Sequence, residues 1–174
     1  MSVPVRFRHP QRIFEVEINN TVRWQHKHGQ ALRTNYARAR YATFLDDLFE
    51  EVLGRKWERI APLNISVVQG LARALGIETP IHVASDLPSF PEDPDERLIA
   101  LTRHFGADVY LAGSGGRSYM DLGKYQRAGI EVRFQEYAHP VYDQCFEGFE
   151  PHMSVLDLLL NHGPESLTIL RGSP

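Results

Sequence analysis

The run Gly113-Ser114-Gly115-Gly116-Arg117-Ser118-Tyr119 is the part of this sequence best suited to hold a ligand. It follows an apolar stretch, Asp108 to Ala112, that reads as a strand, and it opens a segment of helical pattern. Glycines in such a place let backbone N–H groups turn outward toward an anion. Arg117 adds a charged fork suited to phosphate or carboxylate. The Gly-Lys-Ser/Thr of a P-loop is missing, and the spacing is not that of a dinucleotide fingerprint. A tight turn that needs positive φ explains the same glycines without a ligand.

Two further groups carry chemistry. His139-Pro140-Val141-Tyr142-Asp143-Gln144 supplies the side chains of hydrogen-bonding pockets and of proton transfer, with a structural His-Pro turn as the alternative. Ser154-Val155-Leu156-Asp157 resembles a capping box, which leaves Asp157 either a helix cap or a group that orients a pocket. No Gly-x-Ser-x-Gly elbow surrounds Ser154, so it does not read as a nucleophile. His26 and His28 lie two apart on a helical stretch and point in different directions, and the other histidines are scattered, so spacing supports no metal site. Trp24 and Trp57 read as core or interface anchors, and Cys145 as a small buried hydrophobe.

The elements that must position these residues can be read from periodicity. Alternation predicts strands at 3–8 and 13–18, split by a turn at His9-Pro10. Residues 22–53 read as two helices, with Thr43 as a cap between them and Gly54 as the stop. A third helix runs from about Pro62 to Leu75. Strands then alternate with helices: a strand at 81–84, a helix opened by Asp93-Pro94-Asp95-Glu96, a strand at 108–112, a helix at 117–128, a strand at 130–137 and a last helix at 153–161. That order predicts one α/β domain over 1–174, with a mostly parallel, Rossmann-like sheet flanked by helices.

Composition excludes several classes. A net charge of −3 offers no basic face for phosphate backbones, which argues against nucleic acid, and no polybasic patch for a membrane surface. A single cysteine rules out an internal disulfide framework and fits a reducing, cytoplasmic setting. The longest apolar stretch, Val155 to Leu160, contains Asp157 and is too short to span a bilayer.

Taken in order along the chain, many short pieces resemble the WbqC-like family. They are Trp24 with His28 and Tyr36; Leu63-Asn64; Glu96-Arg97-Leu98; Gly106 to Gly113 with Gly115-Gly116-Arg117 and Tyr119; His139-Pro140-Val141-Tyr142 with Gln144; Phe149-Glu150-Pro151; and Ser154 to Leu159 with Asn161, Gly163 and Glu165. Members of that family open with a strand and a His-Gln-Pro-x-Tyr-Leu-Pro motif, then an aspartate-rich second strand. Neither is found here, so the chain reads as the C-terminal part of such a protein.

The resemblance implies a bacterial transferase in surface-polysaccharide (O-antigen) or modified-sugar biosynthesis, adding an acyl or aminoacyl group to an amino sugar. It also suggests an analogy with nucleotidyltransferase-type folds. On that reading Gly113, Ser114, Gly115, Gly116, Arg117 and Tyr119 contact the ligand. His139 moves a proton, Tyr142 and Gln144 orient substrate, and Asp157 orients a pocket group. The expected partner is a nucleotide, sugar or acyl donor, with self-association of the chain as a further expectation; no cofactor is identified. The alternative is a non-catalytic binding or scaffold protein, an inactive member of the family.

Overall fold

The computed structural model of the chain describes residues 1–172, so the last two residues of the expected domain lie outside it. The chain forms two compact units. One is built from Met1–Ile81 and the chain from His139 onward; the other is His82–Ala138.

The first unit opens with a short antiparallel pair, β1 (Val5–Arg6) and β2 (Glu17–Ile18), with Val5 opposite Ile18. The expected longer strands shrink to two residues each. Pro4 and Pro10 have no N–H to donate, and residues Ile13–Glu15 form a 3-10 turn that leaves Ile13 and Phe14 exposed. The other edge of β2 is paired by the chain ahead of the third helix: Ile18 N–H bonds Glu58 O at 2.8 Å, and Ile60 N–H bonds Val16 O at 3.0 Å.

Three helices follow, α1 (Trp24–Asn35), α2 (Phe44–Leu48) and α3 (Ile60–Ala74), with α2 running on as a π-helical turn over Phe49–Leu53. Ile18, Trp24, Val52 and Leu63 make one buried cluster, and Leu32, Ala39, Leu45 and Leu160 another.

The second unit begins with α4 (Pro94–His104), then β3 (Val109–Ala112), α5 (Leu122–Ala128) and β4 (Glu131–Phe134). The expected start of α4 is confirmed in detail: Pro94 takes the first position and the Asp93 carboxylate accepts from Glu96 N–H at 3.0 Å. Strands β3 and β4 pair in parallel, with Val109 opposite Glu131 and Ala112 opposite Phe134. Ile99, Tyr125 and Ile130 form the core beneath them.

The expected strand at 81–84 is not formed. Ile81 is 45% exposed, and Ala84–Asp86 is a 3-10 turn. The run directly after Pro80, interrupted by His82, has no paired neighbour among the described residues to hold strand geometry. Among the described residues the sheets are therefore two-stranded, one parallel and one antiparallel. Among the described residues the fold is mixed α/β with small sheets, one of them antiparallel, and does not bear out a Rossmann-like parallel sheet.

The chain returns to the first unit with α6 (Val155–His162), and α7 (Ser166–Arg171) closes the described chain. Helix α7 is not legible in the sequence, because Gly163-Pro164 looks like a stop. Instead Gly163, at φ +51°, turns the chain tightly over the Tyr41 ring, where a Cβ would lie 2.6 Å from a ring carbon. Pro164 then starts the next turn. Among the described residues no helix is long and apolar enough to cross a membrane.

Candidate functional site

The first turn of α6 places a carboxylate inside the first unit. Ser154 caps the helix, its Oγ accepting from Leu156 N–H at 3.3 Å. Asp157 does not complete the expected capping box. Its side chain turns inward and is 4% exposed.

Oδ1 accepts from Tyr36 Oη at 2.9 Å and from Asn161 Nδ2 at 3.4 Å. Oδ2 accepts from Tyr142 Oη and from Gln144 Nε2, both at 2.9 Å. Among the described residues no lysine or arginine pairs with it. A buried carboxylate without a counter-cation is costly. Here hydrogen bonds from phenols and amides offset the cost, each strengthened by the charge it meets.

The same environment acts on its neighbours. Burial first, then the hydrogen bond and charge of Asp157, push the Tyr36 phenol far above its ordinary range, so Tyr36 remains a neutral O–H. Burial, with the Asp157 charge behind it, also raises the Cys145 thiol. Cys145 packs beside the Leu32–Leu160 cluster, but it is half-buried rather than buried as the sequence suggested.

Gln144 ties this carboxylate to a loop. Its Oε1 accepts from Glu150 N–H at 2.8 Å, and its Nε2 reaches both Glu150 O at 3.0 Å and Asp157 Oδ2. The clamp shapes residues 144–150 into one wall of a half-open groove of about 640 Å³. Tyr36 and Asp157 line it, Phe146, Phe149 and Met153 supply apolar surface, and Glu147 and Glu150 add two more carboxylates. Among the described residues no lysine, arginine or histidine side chain lines it. The groove therefore suits a ligand with an amine or hydroxyls on an apolar body, and disfavours a phosphate.

His139 stands behind this network. Its Nε2 accepts from His152 N–H at 3.3 Å, which puts the proton on Nδ1, where it meets Pro140 O at 2.8 Å. The ring lies nearly parallel to that of Tyr142, with centroids 6.2 Å apart, and also packs on Phe149. Tyr142 itself is buried. Of the residues chosen from sequence, His139, Tyr142, Gln144 and Asp157 are thus brought together in one unit. Tyr36 and Asn161 were not among them. Asn161 sits one helical turn beyond Asp157 and could have been found by that spacing. Tyr36 lies 121 residues from its partner, and its only signal was its place among the family-like pieces.

The glycine-rich loop belongs to the second unit. Residues Ser114–Ser118 form a 3-10 turn directly after β3, rather than the start of a long helix. The helix begins only at Leu122, capped by Asp121. Arg117 pairs with Glu136 at 3.1 Å and lies over the Phe134 ring at 4.4 Å. Gly116 is needed for packing, because a Cβ there would meet Met120 Sδ at 2.7 Å. Gly113 and Gly115 are different. Neither has positive φ, and a Cβ on either would meet nothing within 4 Å. Tyr119 is exposed. Ser118 Oγ closes the turn on Gly115 O at 2.9 Å, a bond the sequence reading did not anticipate.

Among the described residues no group of three or more His, Cys, Asp or Glu is placed to hold a metal ion.

Comparison with known proteins gives a consistent picture. The model of the WbqC-like protein family matches residues 1–169. The chain is also similar to the uncharacterized protein Rv1507c of Mycobacterium tuberculosis, with 33% identity over 173 residues, which are 98% of this chain and 74% of that protein. No solved structure matches.

Proposed function

The chain belongs to the WbqC-like protein family, and from that premise we propose that it is a transferase that acylates an amino sugar, working in a cytoplasmic route of bacterial surface-polysaccharide or modified-sugar synthesis. The observation that carries the reading is the buried Asp157 carboxylate, bonded by neutral donors in a groove without a basic side chain. An amino sugar brings the missing positive charge as its ammonium.

The geometry supports one proton path for this chemistry. The ammonium donates to Tyr36 Oη, and Tyr36 passes its own proton to Asp157 Oδ1 along the existing 2.9 Å bond. Because the Tyr36 phenol is pushed so far up, the two transfers are coupled and no phenolate accumulates. The freed amine attacks the acyl carbon: the N–C bond forms, the bond from carbon to the leaving group breaks, and the leaving group departs with the amine's second proton. Positioned proton transfer of this kind contributes roughly 10²- to 10⁴-fold. Tyr142 and Gln144 hold the carboxylate, and His139 supports Tyr142 from behind.

In the second unit, residues 113–119 are a separate ligand-contact candidate. The support is that Gly113 and Gly115 have neither a conformational nor a packing reason to be glycine. An anionic group such as a donor phosphate fits that loop, with Arg117 as its charged partner.

The function is tested by mass-spectrometric detection of acylated product from a panel of amino sugars and acyl donors. Wild-type protein should form product and Asp157→Asn should lose at least 10²-fold in rate. Equal rates for the two proteins would remove Asp157 from the mechanism. Binding of amino sugars without product under every donor would support a non-catalytic binding protein, a reading that the backbone bonds on both nitrogens of His139 also favour.

A further inference from the structure

Trp24 is 2% exposed, and among the described residues its indole N–H, a buried donor, has no hydrogen-bond partner. A buried donor left unmet costs about 1–3 kcal/mol and calls for an explanation. The contrast with Trp57 is instructive: its indole N–H bonds Val52 O at 2.6 Å.

Trp24 also lines a second cavity of the first unit, of about 210 Å³. Val3, Val52, Leu63 and Val67 make its lining mainly apolar, while His28 and Asn64 are its polar members. The His28 ring sits edge-on to Trp24 at 5.4 Å. Leu32 borders both this cavity and the Asp157 groove. An engineered apolar cavity of about 150 Å³ accepts benzene, so this one has room for a compact group of similar size with a polar atom attached.

We propose that this cavity is an acyl pocket: it takes a short, apolar acyl group, which displaces the side chains sealing the indole edge and binds through its carbonyl oxygen to Trp24 Nε1. The assignment of the occupant to an acyl donor rests on the transferase reading above. Recognition of a carbonyl on a small apolar body rests on the cavity and its unmet donor alone. A bare hydrocarbon fills the space but leaves the indole unmet.

The test uses the whole chain labelled with 15N-tryptophan, whose two indole N–H signals are told apart with Trp57→Phe. Cyclopentanone is the probe, and cyclopentane is the control that lacks the acceptor. Cyclopentanone should move the Trp24 indole proton downfield along a saturating curve and leave Trp57 in place. Cyclopentane should produce no downfield shift. Leu63→Phe, which fills the cavity from a buried position, should abolish the response. Val67→Phe does the same from a partly exposed position should the first variant fail to fold.

A Trp24 signal that ignores cyclopentanone in the wild-type protein overturns the proposal. So does one that answers both probes alike, or one that still responds in a folded filled variant. Amino-sugar binding measured on the same samples separates the two readings: loss of the indole response alone condemns the acyl pocket, and loss of amine binding alone condemns the Asp157 groove.

Discussion

Each unit of this protein contains a tyrosine that donates to an aspartate, and the two pairs differ in what surrounds them. In the second unit Tyr125 Oη donates to Asp95 Oδ1 at 3.2 Å. Asp95 also accepts from Asp121 N–H, and the Lys124 ammonium stands close by on Asp93 at 2.8 Å. These bonds tie the start of α5 to the start of α4. In the first unit Tyr36 donates to Asp157, which has no such cation and opens on a groove of about 640 Å³. Both phenols are pushed far up for the same reasons in the same order: burial, then the carboxylate's hydrogen bond, then its charge. A perturbed tyrosine therefore does not by itself mark a site. The uncompensated charge and the space beside it do.

The largest expected effect separates the two aspartates. Asp157→Asn places an amide among donors, so one N–H faces another; it should cost about 1–3 kcal/mol in urea unfolding and abolish amine binding. Asp95→Asn, at a half-exposed helix start, should cost about 1 kcal/mol or less and leave binding unchanged. Equal costs would erase the distinction.

The two tyrosines sharpen it. Tyr36→Phe should weaken amino-sugar affinity at least tenfold, read by calorimetry. Tyr125→Phe should leave that affinity intact while lowering stability by about 0.5–1.5 kcal/mol.

A pH series tests what the pairs share. The unfolded phenol ionises near 10, and both folded phenols ionise higher. The native state thus holds these protons more tightly, so their contribution is complete below about pH 10 and is lost as pH rises through the folded values. Urea midpoints should fall more steeply above about pH 10 in wild type than in the double variant Tyr36→Phe/Tyr125→Phe. Parallel curves would contradict the assignment.

The smallest effect belongs to the glycine-rich loop. The ion pair of Arg117 is mostly exposed, so Arg117→Ala should change stability by about 0–1 kcal/mol. Binding of a nucleotide or inorganic phosphate should weaken measurably in the same variant, and unchanged anion binding would leave the loop a structural turn.

Much of this was written locally in the sequence. Asp93-Pro94 with Glu96 is a helix start that needs only four residues, and it formed as read. The parallel partnership of β3 and β4 followed from their alternation with helices. Legibility failed where a structure depends on distant partners. Ile81 to Ala84 has the composition of a buried strand but no neighbour to pair with. Asp157 has the spacing of a cap, yet two phenols and an amide from elsewhere in the chain claim its oxygens. Gln144 was singled out as a ligand contact, whereas its bonds to Glu150 and Asp157 give it a clamping role that spacing could not express.

The most direct test of the account compares 2-, 3- and 4-amino sugars with their N-acetyl derivatives by calorimetry, on wild-type protein and Asp157→Asn. If Asp157 is the counter-charge for a substrate ammonium, at least one free amine binds wild type ten or more times tighter than its N-acetyl form, and that preference vanishes in the variant. Equal affinity for amine and N-acetyl forms across the panel, or a preference that survives in Asp157→Asn, would contradict it.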